Sequence, residues 1–160
     1  MIALPIVSLL NYMVASAKFP SQLKVARISL VHKGGDKGDI KNYRPISILS
    51  AVSKVFEKFI VDQLTLHAET GKLFDKHQSA YRRYHSTNTP LVQITDSWAK
   101  AIDSGLLTGV LGISLTKAFD CVSQAAIIEV LEKHFGICGA SRNLIDSYIS
   151  QRQKGCHYLQ

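Results

Sequence analysis

The sequence predicts an α+β fold that is rich in helix. Residues 52–64 place apolar side chains at the three- and four-residue spacing of an amphipathic helix, and three further stretches repeat this pattern. Val25–His32 is a run of β-branched and apolar residues of strand length, and it is followed by a glycine-rich turn and an extended segment. A second apolar run, Val110–Leu115, predicts a buried strand that leads into a turn and a helix.

Start and stop signals give approximate bounds for these helices. Ser50 or Ser47 can cap the helix that contains residues 52–64, and Gly71 can end it. The other helices are predicted over Ile6–Ala17, from Ser86 or Thr87 to Gly105, from Ser123 to Gly136, and over about 141–150.

The first strand and the return segment 42–47 predict a β-hairpin. The turn between them, 33–39, contains Gly34, Gly35 and Gly38, so we expect a flexible, basic tip. The tail, 151–160, shows no pattern that predicts a partner.

Composition indicates one globular domain with an anionic partner. The 160 residues are 46% hydrophobic and 19% charged, with a formal net charge of +7. Nucleic acid is the simplest polyanion for such a surface, and a merely solvated basic surface is the alternative.

Cysteine number and hydropathy favour an intracellular setting, in the nucleus or the cytoplasm. The three cysteines, Cys121, Cys138 and Cys156, are odd in number and lack the spacing of a metal site. No apolar run reaches the roughly 18 residues of a membrane span, so we expect no membrane association.

The end of the second apolar run and the residues that follow it carry a family resemblance. Ser114–Val122 reads Ser-Leu-Thr-Lys-Ala-Phe-Asp-Cys-Val. This segment resembles the first metal-binding motif of reverse transcriptases from non-LTR, LINE-like or jockey-like retrotransposons, Asp-Leu-Ser-Lys-Ala-Phe-Asp-x-Val. The main departure is Ser114, which stands where the family has its catalytic Asp.

Four other segments match the same family in the same order along the chain. They are Phe19–Ala26 with the strand ending in Lys33, 42–49 continued by 54–58, Gln78–Thr87, and Ser147–Gln153. The resemblance therefore spans residues 19 to 153.

The resemblance implies part of a right-hand polymerase fold. Residues 1–160 would be a partial reverse transcriptase domain, with about 1–105 in the fingers and about 106–160 at the start of the palm. The fingers would contain the β-hairpin, and the palm sheet would be incomplete. The paired Asp-Asp hairpin and the thumb are expected beyond these residues, and activity would depend on them.

The resemblance also assigns binding residues. Lys33 and Arg44 match nucleotide-triphosphate contacts, which suits a point charge and a forked guanidinium on two strands of one hairpin. Phe119 matches the ring that excludes a ribose 2′-hydroxyl. The alternatives are a solvated basic hairpin and simple packing of the phenylalanine.

Residues 76–85 combine cations with flat rings, which suits a single-stranded template. Gln78, Tyr81, Arg82 and Arg83 are the predicted template contacts, and Tyr84 adds another ring. The alternative is an exposed loop whose aromatic side chains fill the core.

The family's partners are an RNA template, a DNA primer and deoxynucleotides, and its cofactor is Mg²⁺. Magnesium prefers carboxylate oxygens, so Ser114 is a poor ligand, and Asp120 lies past the predicted strand end. We therefore expect no competent metal site and no catalysis by this chain alone. Two alternatives stay open for the chain, a non-catalytic RNA-binding module and a marginally folded relic. For Ser114 itself, the alternative is a buried serine bonded to backbone.

Overall fold

A computed structural model describes residues 3–115, 118 and 121–155. The helices are α1 (Ala3–Ser16), α2 (Ala51–Thr70), α3 (Asn88–Asp103), α4 (Gln124–Lys133) and α5 (Gly139–Ile149). The strands are β1 (Val25–His32), β2 (Tyr43–Ile48) and β3 (Gln153–Gly155), and short 3₁₀ helices span Ser21–Leu23 and Ile40–Asn42. The predicted mixture of helix and strand is confirmed.

The described residues form two compact units. One contains those of Met1–His67 and Val122–Gln160, and the other contains those of Ala68–Cys121. None of the helices in the described part of the chain is both long enough and apolar enough to span a bilayer.

The first core of the larger unit joins α1, α2 and α5. Met13, Phe19, Phe56 and Leu144 are buried together, with Leu9, Leu10 and Ile60 packed around them. The rings of Phe19 and Phe56 lie 4.9 Å apart, and the ring of Tyr148 stands edge-on to Phe19 at 5.1 Å. The apolar spacing that predicted α1 and α2 therefore does supply core residues.

A second core lies between α4 and α5. Ile128, Ile137 and Ile145 are buried there, and Leu64, Leu131, Phe135 and Ile149 pack against them. Because α2 contributes Ile60 to the first core and Leu64 to the second, its buried stripe connects the two.

A polar contact closes the first core. The Tyr148 hydroxyl donates a hydrogen bond to Glu57 Oε1, and the Arg152 guanidinium lies 4.0 Å above the Tyr148 ring. Arg152 Nε donates to the Tyr148 carbonyl at 3.1 Å, and its Nη2 lies 3.7 Å from Glu57 Oε1. This ion pair is longer than a hydrogen bond, so the guanidinium is held mainly by the ring and the carbonyl.

The start of α2 is fixed to the chain just before β1. Ser50 Oγ accepts from Ser53 N at 3.2 Å, which confirms Ser50 as the cap of α2. The fully buried Ser53 hydroxyl donates to the carbonyl of Leu23 at 3.0 Å. The hairpin is thereby anchored at its base.

The sheet has three strands in the order β2-β1-β3. β1 and β2 are antiparallel, with Arg27 opposite Ile48 and Val31 opposite Arg44. β3 is parallel to β1, with Val25 opposite Gln153. β3 lies in the tail for which no pattern predicted a partner, because a segment of three residues is too short to carry a periodic signal.

The strand predicted at Val110–Leu115 is also wrong. Residues 106–115 have no regular structure, and their apolar side chains are exposed, Leu111 by 85%. An apolar run forms a buried strand only where neighbouring strands satisfy its backbone and a second layer covers it. The described residues supply neither for this segment.

The parent chain is expected to lose stability at alkaline pH because of Tyr148, and replacing Tyr148 by Phe is expected to remove this loss. Burial, and then the hydrogen bond to Glu57, raise the pKa of Tyr148 from 10.0 to about 12. The unfolded chain releases this proton first, so the free energy of unfolding is unaffected below pH 10 and falls as the pH rises through about 12. We expect a fall of about 1–2 kcal/mol, because solvent still partly screens the phenol.

Denaturant titrations at about pH 9 and about pH 11.5 measure this difference in the parent chain and in Tyr148→Phe. Tyr12→Phe is the matched control, because Tyr12 is 63% exposed on α1. Equal losses for the parent chain and Tyr148→Phe would contradict the assignment.

Candidate nucleotide and nucleic-acid interface

The hairpin brings Lys33 and Arg44 onto one face of the sheet. Arg44 pairs with Val31, and the Lys33 amide continues the ladder by donating to the Asn42 carbonyl at 2.8 Å. Side chains alternate along a strand, so Val31, Lys33 and Arg44 share a face. Diagonal neighbours of this kind are about 7–8 Å apart at the backbone, within reach of one polyphosphate chain.

That face is cationic and open to solvent. Arg27, Lys33 and Arg44 are exposed, and the apolar side chains between them are at least partly exposed. The opposite face carries His32 and Tyr43, whose rings lie 5.3 Å apart. The face thus concentrates positive charge without an acidic side chain from β1 or β2.

The hairpin tip is a turn closed by side-chain hydrogen bonds, which the expected flexible tip did not include. The Tyr43 hydroxyl donates to the Lys37 carbonyl at 3.0 Å, and Asn42 Nδ2 donates to the Asp36 carbonyl at 2.8 Å. Asp36 and Asp39 each accept a backbone amide two residues on. Side-chain bonds of this kind replace the freedom that the glycines alone suggest.

Gly35 fits closely beneath Asn42 in this tip. Its φ is +88°, and a Cβ built on it would lie 2.8 Å from Asn42 Nδ2. A left-handed backbone and a close approach both require glycine here.

The predicted template segment lies in the other compact unit. Tyr81 and Tyr84 have φ of 61° and 60° and are 86% and 101% exposed. Large side chains seldom adopt such a backbone. The alternative in which these rings fill the core is therefore wrong.

Arg82 and Gln78 are held by contacts within this unit. The Arg82 guanidinium lies 5.1 Å from the centre of the Phe74 ring, and its buried Nε has no hydrogen-bond partner among the described residues. Gln78 Nε2 donates to the Ala80 carbonyl at 3.2 Å, and Arg83 is exposed. The segment therefore presents two rings and Arg83 to solvent.

Ser114 lies in the irregular segment 106–115 and is exposed, so the buried serine that sequence suggested is wrong. Phe119 and Asp120 lie outside the described residues. Within residues 3–115, 118 and 121–155, no three His, Cys, Asp or Glu side chains form a group that could hold a metal ion. A neutral hydroxyl is a weak ligand for Mg²⁺, so the donor set described here does not fit that ion.

The sequence was compared with models of known protein families. Residues 31–159 match the family described as "Reverse transcriptase (RNA-dependent DNA polymerase)". The chain belongs to the reverse transcriptase family.

The similar proteins are reverse transcriptases named as enzymes of transposons and mobile elements. "Probable RNA-directed DNA polymerase from transposon BS" of Drosophila melanogaster is 30% identical over 84% of this chain. "Probable RNA-directed DNA polymerase from transposon X-element" of the same species is 34% identical over 70%. "RNA-directed DNA polymerase from mobile element jockey" is 26% identical over 73%. The resemblance to non-LTR, jockey-like elements is confirmed.

These relatives are much longer than the chain described here. The matched part covers 15%, 12% and 13% of the three proteins in that order.

Three of the five segments that carry the resemblance meet in the first core, which sequence reasoning missed. Phe19, Glu57 and Tyr148 come from three separate motif segments, and the amide of Phe19 also donates to Ser147 Oγ at 3.0 Å. Their contacts join positions as many as 128 residues apart, so no local pattern could have revealed them.

Substituting Gly35 by Ala is expected to destabilise the hairpin tip by about 1–3 kcal/mol. The new Cβ would displace the Asn42 amide and oppose the left-handed backbone. Thermal unfolding gives the change in stability, and amide hydrogen exchange across residues 33–43 shows whether it is local.

Gly38→Ala is the matched control in the same tip. A Cβ there would meet Asp36 at an ordinary 3.6 Å, and the backbone is not left-handed. If Gly35→Ala and Gly38→Ala had equal effects, the ordered tip described here would be wrong.

Proposed function

We propose that this chain is the nucleotide- and template-binding part of an RNA-directed DNA polymerase domain and does not catalyse synthesis by itself. In this proposal the fold is part of a right hand, with residues 1–105 in the fingers and 106–160 at the start of the palm. Its partners are an RNA template, a DNA primer and deoxynucleotides, in the nucleus or the cytoplasm.

The observation that carries the proposal is the shared face of Lys33 and Arg44. Their diagonal register lets an ammonium and a guanidinium contact one triphosphate from two strands. The ordered tip and the anchored base limit the movement of both strands, so little entropy is lost when a ligand binds. Phe119 is proposed to select the sugar of the same nucleotide.

Template binding is assigned to Gln78, Tyr81, Arg82 and Arg83. Tyr81 offers an exposed ring for stacking, and Arg83 offers a charge for the backbone. The Arg82–Phe74 contact supports the loop from beneath.

The proposed lack of catalysis rests on Ser114. The family joins nucleotides with the help of Mg²⁺ held by carboxylates, and a hydroxyl here removes one of those charges. The 160 residues also contain no adjacent pair of aspartates. Loss of several kcal/mol of charge stabilisation corresponds to several orders of magnitude in rate.

A second candidate is a nucleic-acid-binding module with no role in synthesis. The net charge of +7 together with Ser114 favours it. The exposed apolar side chains of 106–115 favour the third reading, a marginally folded fragment that associates with another chain.

Substituting Arg44 by Ala is expected to weaken the binding of a deoxynucleoside triphosphate about tenfold, while RNA binding changes about twofold or less. The reason is that charge-assisted contacts to a phosphate are worth about 1.5–3 kcal/mol each. Isothermal titration calorimetry measures the first affinity, and anisotropy of a labelled RNA measures the second.

Arg27→Ala is the matched control for Arg44→Ala. Arg27, on β1, has the same charge as Arg44 and is also exposed. It lies four residues before Val31, the residue that pairs with Arg44, so it is farther from Lys33 along the strand. Equal losses for both ligands, or equal effects of the two variants, would leave only a general basic patch.

The chain alone is expected not to extend a primer, and Ser114→Asp is expected not to restore synthesis. A single carboxylate returns one ligand to a site that needs ligands from at least two strands. Primer extension with magnesium and all four deoxynucleotides measures this. Synthesis by the parent chain, free of contaminating polymerase, would contradict the inactive assignment.

A chimera tests whether position 114 has a role in metal binding. With the palm and thumb of an active relative joined after Gln160, Ser114→Asp should switch synthesis on. Equal activity with Ser114 and with Asp would show that this position binds no metal.

A further inference from the structure

The unit formed by Ala68–Cys121 contains a cleft that the proposed contacts do not use. It has a volume of about 650 Å³ and lies between Lys76–His77 and one side of α3, where Gln93, Ile94 and Trp98 line it. Its volume falls in the range of small-ligand sites, about 300–1,000 Å³.

The wall formed by α3 offers a flat apolar surface. Trp98 is the single tryptophan of the chain and is 38% exposed, and Ile94 is exposed one turn before it. Every nucleobase has a π-face that can stack on such a ring, whatever its sequence.

The opposite rim carries Lys76 and His77 on a turn whose backbone is held by hydrogen bonds. Asp75 Oδ1 accepts from the amide of His77 at 2.8 Å, and the carbonyl of Asp75 accepts from the amide of Gln78 at 3.1 Å. This turn holds Lys76 and His77 at the edge of the cleft. A phosphate that enters the cleft therefore meets the Lys76 ammonium and the His77 ring at its edge.

The one acidic lining residue is already paired. Asp96 Oδ2 accepts from Lys100 Nζ at 2.7 Å, one turn along α3. The neighbouring stretch, 71–87, holds four Lys or Arg residues and one Asp. The surroundings of the cleft therefore favour an anion.

We propose that this cleft binds one nucleotide of a single-stranded nucleic acid, with its base on Trp98 and its phosphate at Lys76 and His77. Gln93 is placed to donate to or accept from the edge of the base. Residues 78–83 follow His77 directly in the sequence. In this proposal the bound nucleic-acid strand therefore continues from the cleft onto the proposed template segment. The inference rests on the proposed binding of single strands.

Trp98 supplies a direct readout because it is the single tryptophan of the chain. The full chain is titrated with a labelled oligouridylate of about eight nucleotides, at about 50 mM salt, and both indole emission and label anisotropy are followed. We expect saturable quenching of Trp98 with the same dissociation constant as the anisotropy change. Uridine monophosphate should quench at higher concentration, and inorganic phosphate should not.

Two pairs of variants separate the cleft from general charge. Lys76→Ala should weaken binding about threefold or more and lower the salt slope by about 1, whereas Lys72→Ala, an exposed cation outside the lining, should change it less than twofold. Trp98→Ala should weaken binding about tenfold, and Trp98→Phe should retain it within about threefold.

Oligonucleotide binding without any change in Trp98 emission would overturn the proposal, as would equal effects of Lys76→Ala and Lys72→Ala. Absence of oligonucleotide binding would overturn it as well. The proposed nucleotide site on the hairpin is judged separately, by triphosphate binding to the Arg44→Ala variant.

Discussion

The packing of Phe19, Phe56 and Tyr148 is the contact on which the larger unit depends. These rings come from the exit of α1, the middle of α2 and the end of α5, with centroids 4.9–5.6 Å apart. Aromatic contacts at such distances add about 0.5–1.5 kcal/mol each beyond burial. The Tyr148 hydroxyl also fixes Glu57, and Arg152 covers the ring just before β3. One cluster therefore sets the positions of three helices and of the strand that pairs with β1.

The position of the hairpin depends on this core. Ser53, one turn before Phe56, bonds to Leu23, and β1 begins two residues after Leu23. Lys33 and Arg44 are exposed and contribute nothing to the core, yet their spacing is set by a ladder that the core anchors. The family motifs thus divide into residues that pack, such as Phe19 and Tyr148, and residues that face solvent, such as Arg44. In the proposed function, a substitution in the first group would alter nucleotide binding through the position of the sheet.

Sequence patterns predicted the parts of the fold that are local. Helical spacing placed Met13 and Ile128 in cores, and a β-branched run with a following turn predicted the hairpin that joins Lys33 to Arg44. The hydrogen bonds of the tip were not predicted, because glycine content gives no sign of the bonds made by Asn42 and Tyr43. β3 was missed, and the strand at Val110–Leu115 was overpredicted, because pairing depends on neighbours that no local window contains. The cleft at Trp98 gave no local signal either, since its two walls are joined only in the folded unit.

In the proposed function, binding and chemistry use different residue types, and this makes them separable. Phosphates and bases require cations and flat rings, which Lys33, Arg44, Tyr81 and Trp98 supply from exposed or half-exposed positions. Metal-assisted transfer requires carboxylates in a fixed group, and in the proposed function Ser114 removes a charge from that group and leaves the cations unchanged. The electrostatic term for nucleic acid is therefore unaffected by the substitution that the proposed function holds responsible for inactivity. On this physical basis, a chain that cannot synthesise DNA can still bind a template and a nucleotide.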